Sequence, residues 1–250
     1  MHEKGTIVGG FGERAPGGLR GGSIGGGYHL PPPGGLCEGT EQRDFITGTD
    51  VRDVIFALGG FDFVDARDGE DEINGQNGGD ELFGGNNNDT YNGGNGADFL
   101  DEFLSFPNGG VVTNSGADVM NGGEGTDRIQ ANTGPDILRG QAGDECFEGG
   151  GLFGEQGNDD IFGGTGEDCL FGQQGTDEHF GGADNDFIDA VSQDTDPETG
   201  EPLGTQDVVD CGGGVDTAVV NPEEDIVRDN CEFFEDPSPP VAQPTSGTTD

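Results

Sequence analysis

"GGTGEDCLFGQQGTDEHFGGADNDFIDA" spans Gly163 to Ala190, and an aspartate returns in it every ninth residue, at Asp168, Asp177 and Asp186. Two residues after each stand Leu170, His179 and Ile188. The beat extends well beyond this stretch. Asp44, Asp53, Asp62, Asp71, Asp80, Asp89 and Asp98 keep it without a break. Asp118, Asp127, Asp136 and Glu145 form a second run, Asp159 opens the run just quoted, and Asp207 and Asp216 close the series. The residue two places after the acid is apolar almost throughout: Ile46, Ile55, Val64, Ile73, Leu82, Tyr91, Leu100, Met120, Ile129, Leu138, Phe147, Ile161, Leu170, Ile188, Val209 and Ala218. His179 breaks the rule. One apolar residue between mostly polar neighbours reads as a three-residue strand whose centre faces inward. The six residues before it, rich in Gly and Asn, read as a turn. Such a unit cannot bury its single apolar side chain alone, so neighbouring units must stack into a solenoid.

Composition agrees with an unusual core. The chain has 250 residues and a formal charge of −42, from 51 acids against nine Lys and Arg. That sign excludes nucleic acid as a partner, because phosphate binding needs the opposite charge, and it disfavours anionic lipid. Leu, Ile, Val and Phe make up about a fifth of the chain, the border at which a charged sequence stays disordered unless something neutralises it. Glycine, at 53 residues, fits a backbone that needs positive φ at regular places. No run of 18 apolar residues exists to span a membrane, and "MHEKGTIVGG" lacks the apolar stretch of a signal peptide.

The units "GGNGADFLD" (93–101), "GGEGTDRIQ" (122–130) and "GGTGEDCLF" (163–171) fit G-G-x-G-x-D-x-U-x in full, and "GQNGGDELF" and "GEQGNDDIF" fit with substitutions. The stretch from about residue 40 to 220 resembles the RTX, or hemolysin-type, calcium-binding repeats of secreted bacterial proteins. The resemblance implies an all-β fold: a parallel β-roll with two repeats per turn, folded around several Ca²⁺ ions. It makes the seventeen register acids Asp44, Asp53, Asp62, Asp71, Asp80, Asp89, Asp98, Asp118, Asp127, Asp136, Glu145, Asp159, Asp168, Asp177, Asp186, Asp207 and Asp216 the metal ligands. The chemistry is coherent, because calcium is a hard cation that takes six to eight oxygens. Acids stacked at ~4.8 Å repel by ~1 kcal/mol per pair in water, so calcium binding and folding should be coupled.

The register slips in three places: between Asp98 and Asp118, between Glu145 and Asp159, and between Asp186 and Asp207. The resulting division is a Gly-rich flexible segment 1–36, a first roll segment 37–101, an insertion 102–112 and a second roll segment 113–189 with a truncated repeat at 149–153. An acidic insertion 190–201, closing repeats 202–235 and a Pro/Thr/Ser-rich tail 236–250 complete it. Asp194, Asp196 and Glu198 in the acidic insertion read as a solvated hairpin rather than a further calcium loop, which would end in a bidentate glutamate.

Five cysteines are present. None has C-x-x-C spacing, and with three histidines in the chain a zinc site is not expected. Cys211 and Cys231 bracket the last repeat in a stretch that resembles the closing segment of secreted members of this repeat class, and a disulfide is expected between them. Cys146 and Cys169 both directly follow a register acid. If "GGGLF" (149–153) is only a loop, they lie on adjacent strands within bonding reach; if it is a half-turn, they lie on opposite sheets. Disulfides imply an extracytoplasmic, secreted location.

No catalytic set is evident, and an enzyme is not expected. "GGSIG" (21–25) fits G-x-S-x-G around Ser23, but within a glycine run it lacks the strand, helix and histidine base that an elbow needs. H-E-x-x-H does not occur. An ice-binding roll would need a uniform outward row, and Asn77, Asn86, Asn95, Glu124, Thr133, Ala142, Gln156, Thr165 and Gln174 form none. The expectation is a monomeric, extracellular, calcium-loaded structural or adhesive module, with calcium-triggered folding during secretion as the alternative. His179 reads as a core substitution hydrogen-bonded to backbone rather than a ligand or pH sensor.

Overall fold

The computed structural model describes residues 28–29, 34–102, 116–147, 149–191, 205–221, 224–228, 230–231 and 233–235. Ser23, Asp194, Asp196, Glu198 and the tail 236–250 lie outside them. The residues directly after each register aspartate form a strand, and successive strands alternate between two parallel sheets. The first sheet runs from Tyr28–His29 and Phe45–Thr47 to Thr217–Val219 and Phe233–Glu235; the second runs from Leu36–Thr40 and Val54–Gly60 to Val208–Gly213 and Ile226–Val227. Uninterrupted repeats pair at a separation of two units, as in Ile46↔Val64 and Ile55↔Ile73. This is a parallel β-roll with two repeats per turn.

Between the sheets lies a ladder of single side chains. Ile46, Ile55, Val64, Ile73, Leu82, Tyr91, Leu100, Met120, Ile129, Leu138, Ile161, Leu170, His179, Ile188, Val209 and Ala218 are all fully buried, at 0% exposure. Strands stack at ~4.8 Å only if the turns let them. Two places before eleven of the seventeen acids the chain takes a positive φ, and there the carbonyl of one turn lies beneath the Cα of the next. A Cβ on Gly96, where φ is +140°, would stand 1.4 Å from the Gly78 carbonyl oxygen. Glycine at this position sets the pitch.

The register slips are absorbed without breaking either sheet. Strand Phe99–Asp101 pairs with Arg128–Gln130, and Thr90–Asn95 pairs with Val119–Glu124, across the first insertion. The truncated repeat expected at 149–153 is instead a complete strand, Gly151–Gln156, in the first sheet. The extra residues fall after Cys146 and before strand Gly151–Gln156, between Glu145 and its inward partner. That partner is Leu152, fully buried, whereas Phe147 is 45% exposed and leaves the slot expected of it. The new alignment lets Phe153 stack on Phe171 with centroids 4.8 Å apart.

Three further features enlarge the roll. Tyr28–His29, in the segment read as flexible, pairs with Phe45–Ile46. Cys37 fills an inward slot beside Ile55, is 5% exposed and has a free thiol. Asp225 and Val227, nine residues beyond Asp216 and Ala218, form one more unit that the sequence reading stopped short of. Cys211–Cys231 and Cys146–Cys169 are both disulfides, with Cα atoms 5.2 Å and 4.7 Å apart. Cys146 and Cys169 share one edge because the extra residues begin only after Cys146.

Candidate metal centre

The register acids form two files, one along each edge of the roll. Asp44, Asp62, Asp80, Asp98, Asp127, Glu145, Asp168, Asp186 and Asp216 precede strands of the first sheet. Asp53, Asp71, Asp89, Asp118, Asp136, Asp159, Asp177 and Asp207 precede strands of the second, and Asp225 extends that file. All seventeen sequence-predicted acids are at most 3% exposed, a position that carboxylates tolerate only when their charge is matched.

Half of that matching comes from the backbone. In the second file the amide of Asp53 donates to Asp71 Oδ1 (2.6 Å), that of Asp71 to Asp89 Oδ1 (2.8 Å) and that of Asp118 to Asp136 Oδ1 (2.7 Å). The first file repeats the pattern, with Asp62 on Asp80 and Asp80 on Asp98, both at 2.8 Å. It survives the extra residues after Cys146, since the Glu145 amide donates to Asp168 Oδ1 (3.3 Å). Each carboxylate that accepts in this way is a rung that ties one turn to the next. Sequence periodicity marks the acids but not this second duty, because the donor lies a whole turn away.

The other oxygen points into the turn. Oδ2 of Asp71, Asp80, Asp89, Asp98, Asp118, Asp127, Asp136, Asp159, Asp168 and Asp186 is buried without a hydrogen-bond partner. Oδ2 of Asp80, Asp89, Asp98, Asp127, Asp159, Asp168 and Asp186 faces the bare Cα of the glycine five places earlier, and before Asp71 and Asp136 an alanine takes that place. A Cβ on Gly93 would stand 2.5 Å from both Asp98 Oδ2 and the Gly122 carbonyl oxygen, and one on Gly163 would meet Asp168 Oδ2 at 2.5 Å and the Gly181 oxygen at 2.4 Å. Carboxylate and carbonyl oxygens thus converge in a space that any side chain would fill. This donor set is all oxygen, which suits a hard divalent cation.

Electrostatics point the same way. Burial, more than any neighbouring charge, raises the carboxyls of Asp71, Asp98, Asp136 and Asp186 to about 7, and those of Asp89 and Asp159 to about 8. Glu145 is pushed up to about 10, first by burial and then by the Asp168 carboxyl against it. Bringing these groups to their ionised form inside the roll requires positive charge, of which the described residues supply little: Arg52 lowers Asp71, while the charges acting on the others are acids. The surface ion pairs Arg52–Glu72 and Arg228–Asp210 lie outside the turns.

His179 sits between Ile161 and Val209 in the second sheet. Burial lowers its imidazole to about 4. An interaction with the Val208 backbone partly opposes that shift, as expected of a core histidine held by backbone, but neither ring nitrogen makes a well-formed hydrogen bond.

Two parallel sheets joined by oxygen-lined turns, with a buried carboxylate at the head of each repeat, define an acid-laddered β-roll. The chain belongs to the RTX calcium-binding nonapeptide repeat family, whose model matches residues 38–73, 47–82, 65–100, 111–129, 121–151 and 153–188, more than half of its length. Calcium is accordingly the cation that this repeat module binds. No curated protein and no solved structure matches the chain.

Proposed function

We propose that the register acids of both files, with the turn carbonyls beside them, are the calcium ligands, and that the roll is an extracellular, noncatalytic module that folds as calcium binds. The observation that carries this reading is the file of buried Oδ2 atoms without partners. A calcium ion would satisfy in one step the charge and the coordination that the protein leaves open. Loaded with calcium, the module serves as a rigid structural or adhesive spacer and acts as a monomer. The outer face of the first sheet supports the adhesive role. Phe45, Phe63, Phe83 and Phe99 follow one another at 5.4–6.1 Å, and Arg128 bridges Phe99 to Phe153 at 5.4 Å from each ring.

The second reading, calcium-triggered folding after export, draws on the like charge stacked along both edges, which keeps a calcium-free chain open. Small-angle scattering during a calcium titration tests the shared premise. Compaction only on calcium addition, with the radius of gyration falling at least about twofold, is expected; a compact roll in chelator would overturn it. The two roles part at the aromatic row. Replacing Phe63 and Phe171 by Ser should abolish attachment to surfaces if the module is adhesive, and should leave export unaffected.

A further inference from the structure

Four places after each acid of the first file, the chain turns toward the second file. At this position stand Gly48, Ala66, Gly84, Ala131, Gly172 and Ala190, with Gly149 after Glu145 and Val220 after Asp216. The reason is steric: a Cβ on Gly84 would stand 2.5 Å from Asp89 Oδ2, and one on Gly172 would stand 2.4 Å from Asp177 Oδ2. Any side chain here points at the acid that follows. After Asp98 the same position holds Glu102, the first residue of the insertion that interrupts the register.

Glu102 is 3% exposed, and Asp118 and Asp136 are each 1% exposed. One carboxylate oxygen from each of the three lies within 4.8 Å of the others. Two oxygens bound to the same calcium ion, at 2.3–2.6 Å each, can be up to about 5 Å apart, so the three fit around one ion. Glu102 Oε1, Asp118 Oδ2 and Asp136 Oδ2 all lack a hydrogen-bond partner. A proton shared between Glu102 and Asp118 would still leave the Asp136 oxygen unmatched. The backbone that aims Glu102 is itself fixed. Asn132 Nδ2 donates to Asp101 Oδ1 (2.8 Å), and the Tyr91 hydroxyl donates to the Asp101 carbonyl (3.4 Å) while accepting the Gly84 amide (2.9 Å).

We infer that Glu102, Asp118 and Asp136 together hold one divalent, oxygen-coordinated cation, at a site that the nonapeptide pattern does not encode because Glu102 lies off the acid register. The inference rests on the calcium reading of the roll and adds a third carboxylate to one turn of it. Once occupied, the site pins the root of the insertion to the second file.

The test uses the full chain at saturating calcium, with ions per chain counted by equilibrium dialysis and the roll monitored by far-UV circular dichroism. Glu102→Gln keeps the shape and the hydrogen bonds of a protonated glutamate but not its charge. It should hold one ion at least about tenfold more weakly than wild type, with its strand signal intact. Glu102→Asp should keep the count and weaken one ion about tenfold. An unchanged count and affinity in Glu102→Gln would overturn the inference while leaving the calcium reading in place. A wild-type chain that binds no calcium would overturn both. If Glu102→Gln does not fold, Glu102→Asp decides alone: one weakened ion supports the site, and unaltered affinities refute it.

Discussion

Asp98 shows how much one residue does in this fold. Its Oδ1 accepts the Asp80 amide at 2.8 Å, and its Oδ2 has no protein partner. The two duties separate by mutation. Asp98→Asn keeps an acceptor for the amide and removes the charge, so calcium stoichiometry should fall while the loaded roll stays folded. Asp98→Ala also strands the buried amide and should cost a further 1–3 kcal/mol or so, read as a larger drop in the melting temperature with calcium present. His179 illustrates the reverse case, a polar ring in an apolar slot with neither nitrogen in a well-formed hydrogen bond. His179→Leu should stabilise the loaded roll by roughly 1–3 kcal/mol, measured by thermal unfolding; a loss of stability or of bound calcium would mean the ring has a role. The inward position of residue 179 was legible from the nine-residue beat, and its lack of a well-formed hydrogen bond was not, because that depends on the neighbouring turn. Glu102 escaped notice for a related reason: nothing in a periodic pattern marks a residue that lies off the period. The signal was available only as a long acid where the other turns carry Gly, Ala or, after Asp216, Val.

At the scale of the strand and turn, the repeat announces itself wherever acid and apolar residue keep their spacing. It misleads where extra residues enter between them. "ECFEGGGLF" offers two inward candidates, Phe147 and Leu152, and the two-residue rule selects the wrong one. Pairing of Leu152 and Phe153 with Leu170 and Phe171 decides the matter, and the positive φ of Gly149 and Gly151 (+87° and +126°) lets the chain make the detour. The added unit at Asp225 was hidden differently: "NPEED" has none of the glycines that mark other turns, yet Asp225 Oδ2 still accepts the Asn221 amide at 2.7 Å and its Oδ1 the Asp207 amide at 3.1 Å. The closing units are held by Cys211–Cys231, a link across 20 residues. Replacing both cysteines by Ala should destabilise the loaded roll by about 2–4 kcal/mol. Hydrogen exchange should show the loss concentrated in strands 208–213, 217–219 and 226–227. Uniform loss along the roll would argue that the link does more than prevent fraying at one end.

The whole molecule stacks its acids where they repel, with a net charge of −42 and carboxyls raised to about 7 or 8 by burial. An unfolded chain would titrate these groups near 4. Between roughly pH 4 and pH 8 the metal-free roll therefore binds more protons than the unfolded chain, and its stability falls as pH rises through that window. In chelator, strand content should be higher at pH 5 than at pH 8. With calcium the order should reverse, because protons and calcium compete for the same oxygens. Equal strand content at both pH values in chelator would show that the buried acids are not what destabilises the empty roll. The most direct test of calcium-coupled folding is far-UV circular dichroism during a calcium titration at pH 7.5, followed by excess EGTA. The account predicts a coil-like spectrum at the start, a cooperative rise of β-structure with calcium, and its loss on chelation; a full β signal that neither addition changes would contradict it.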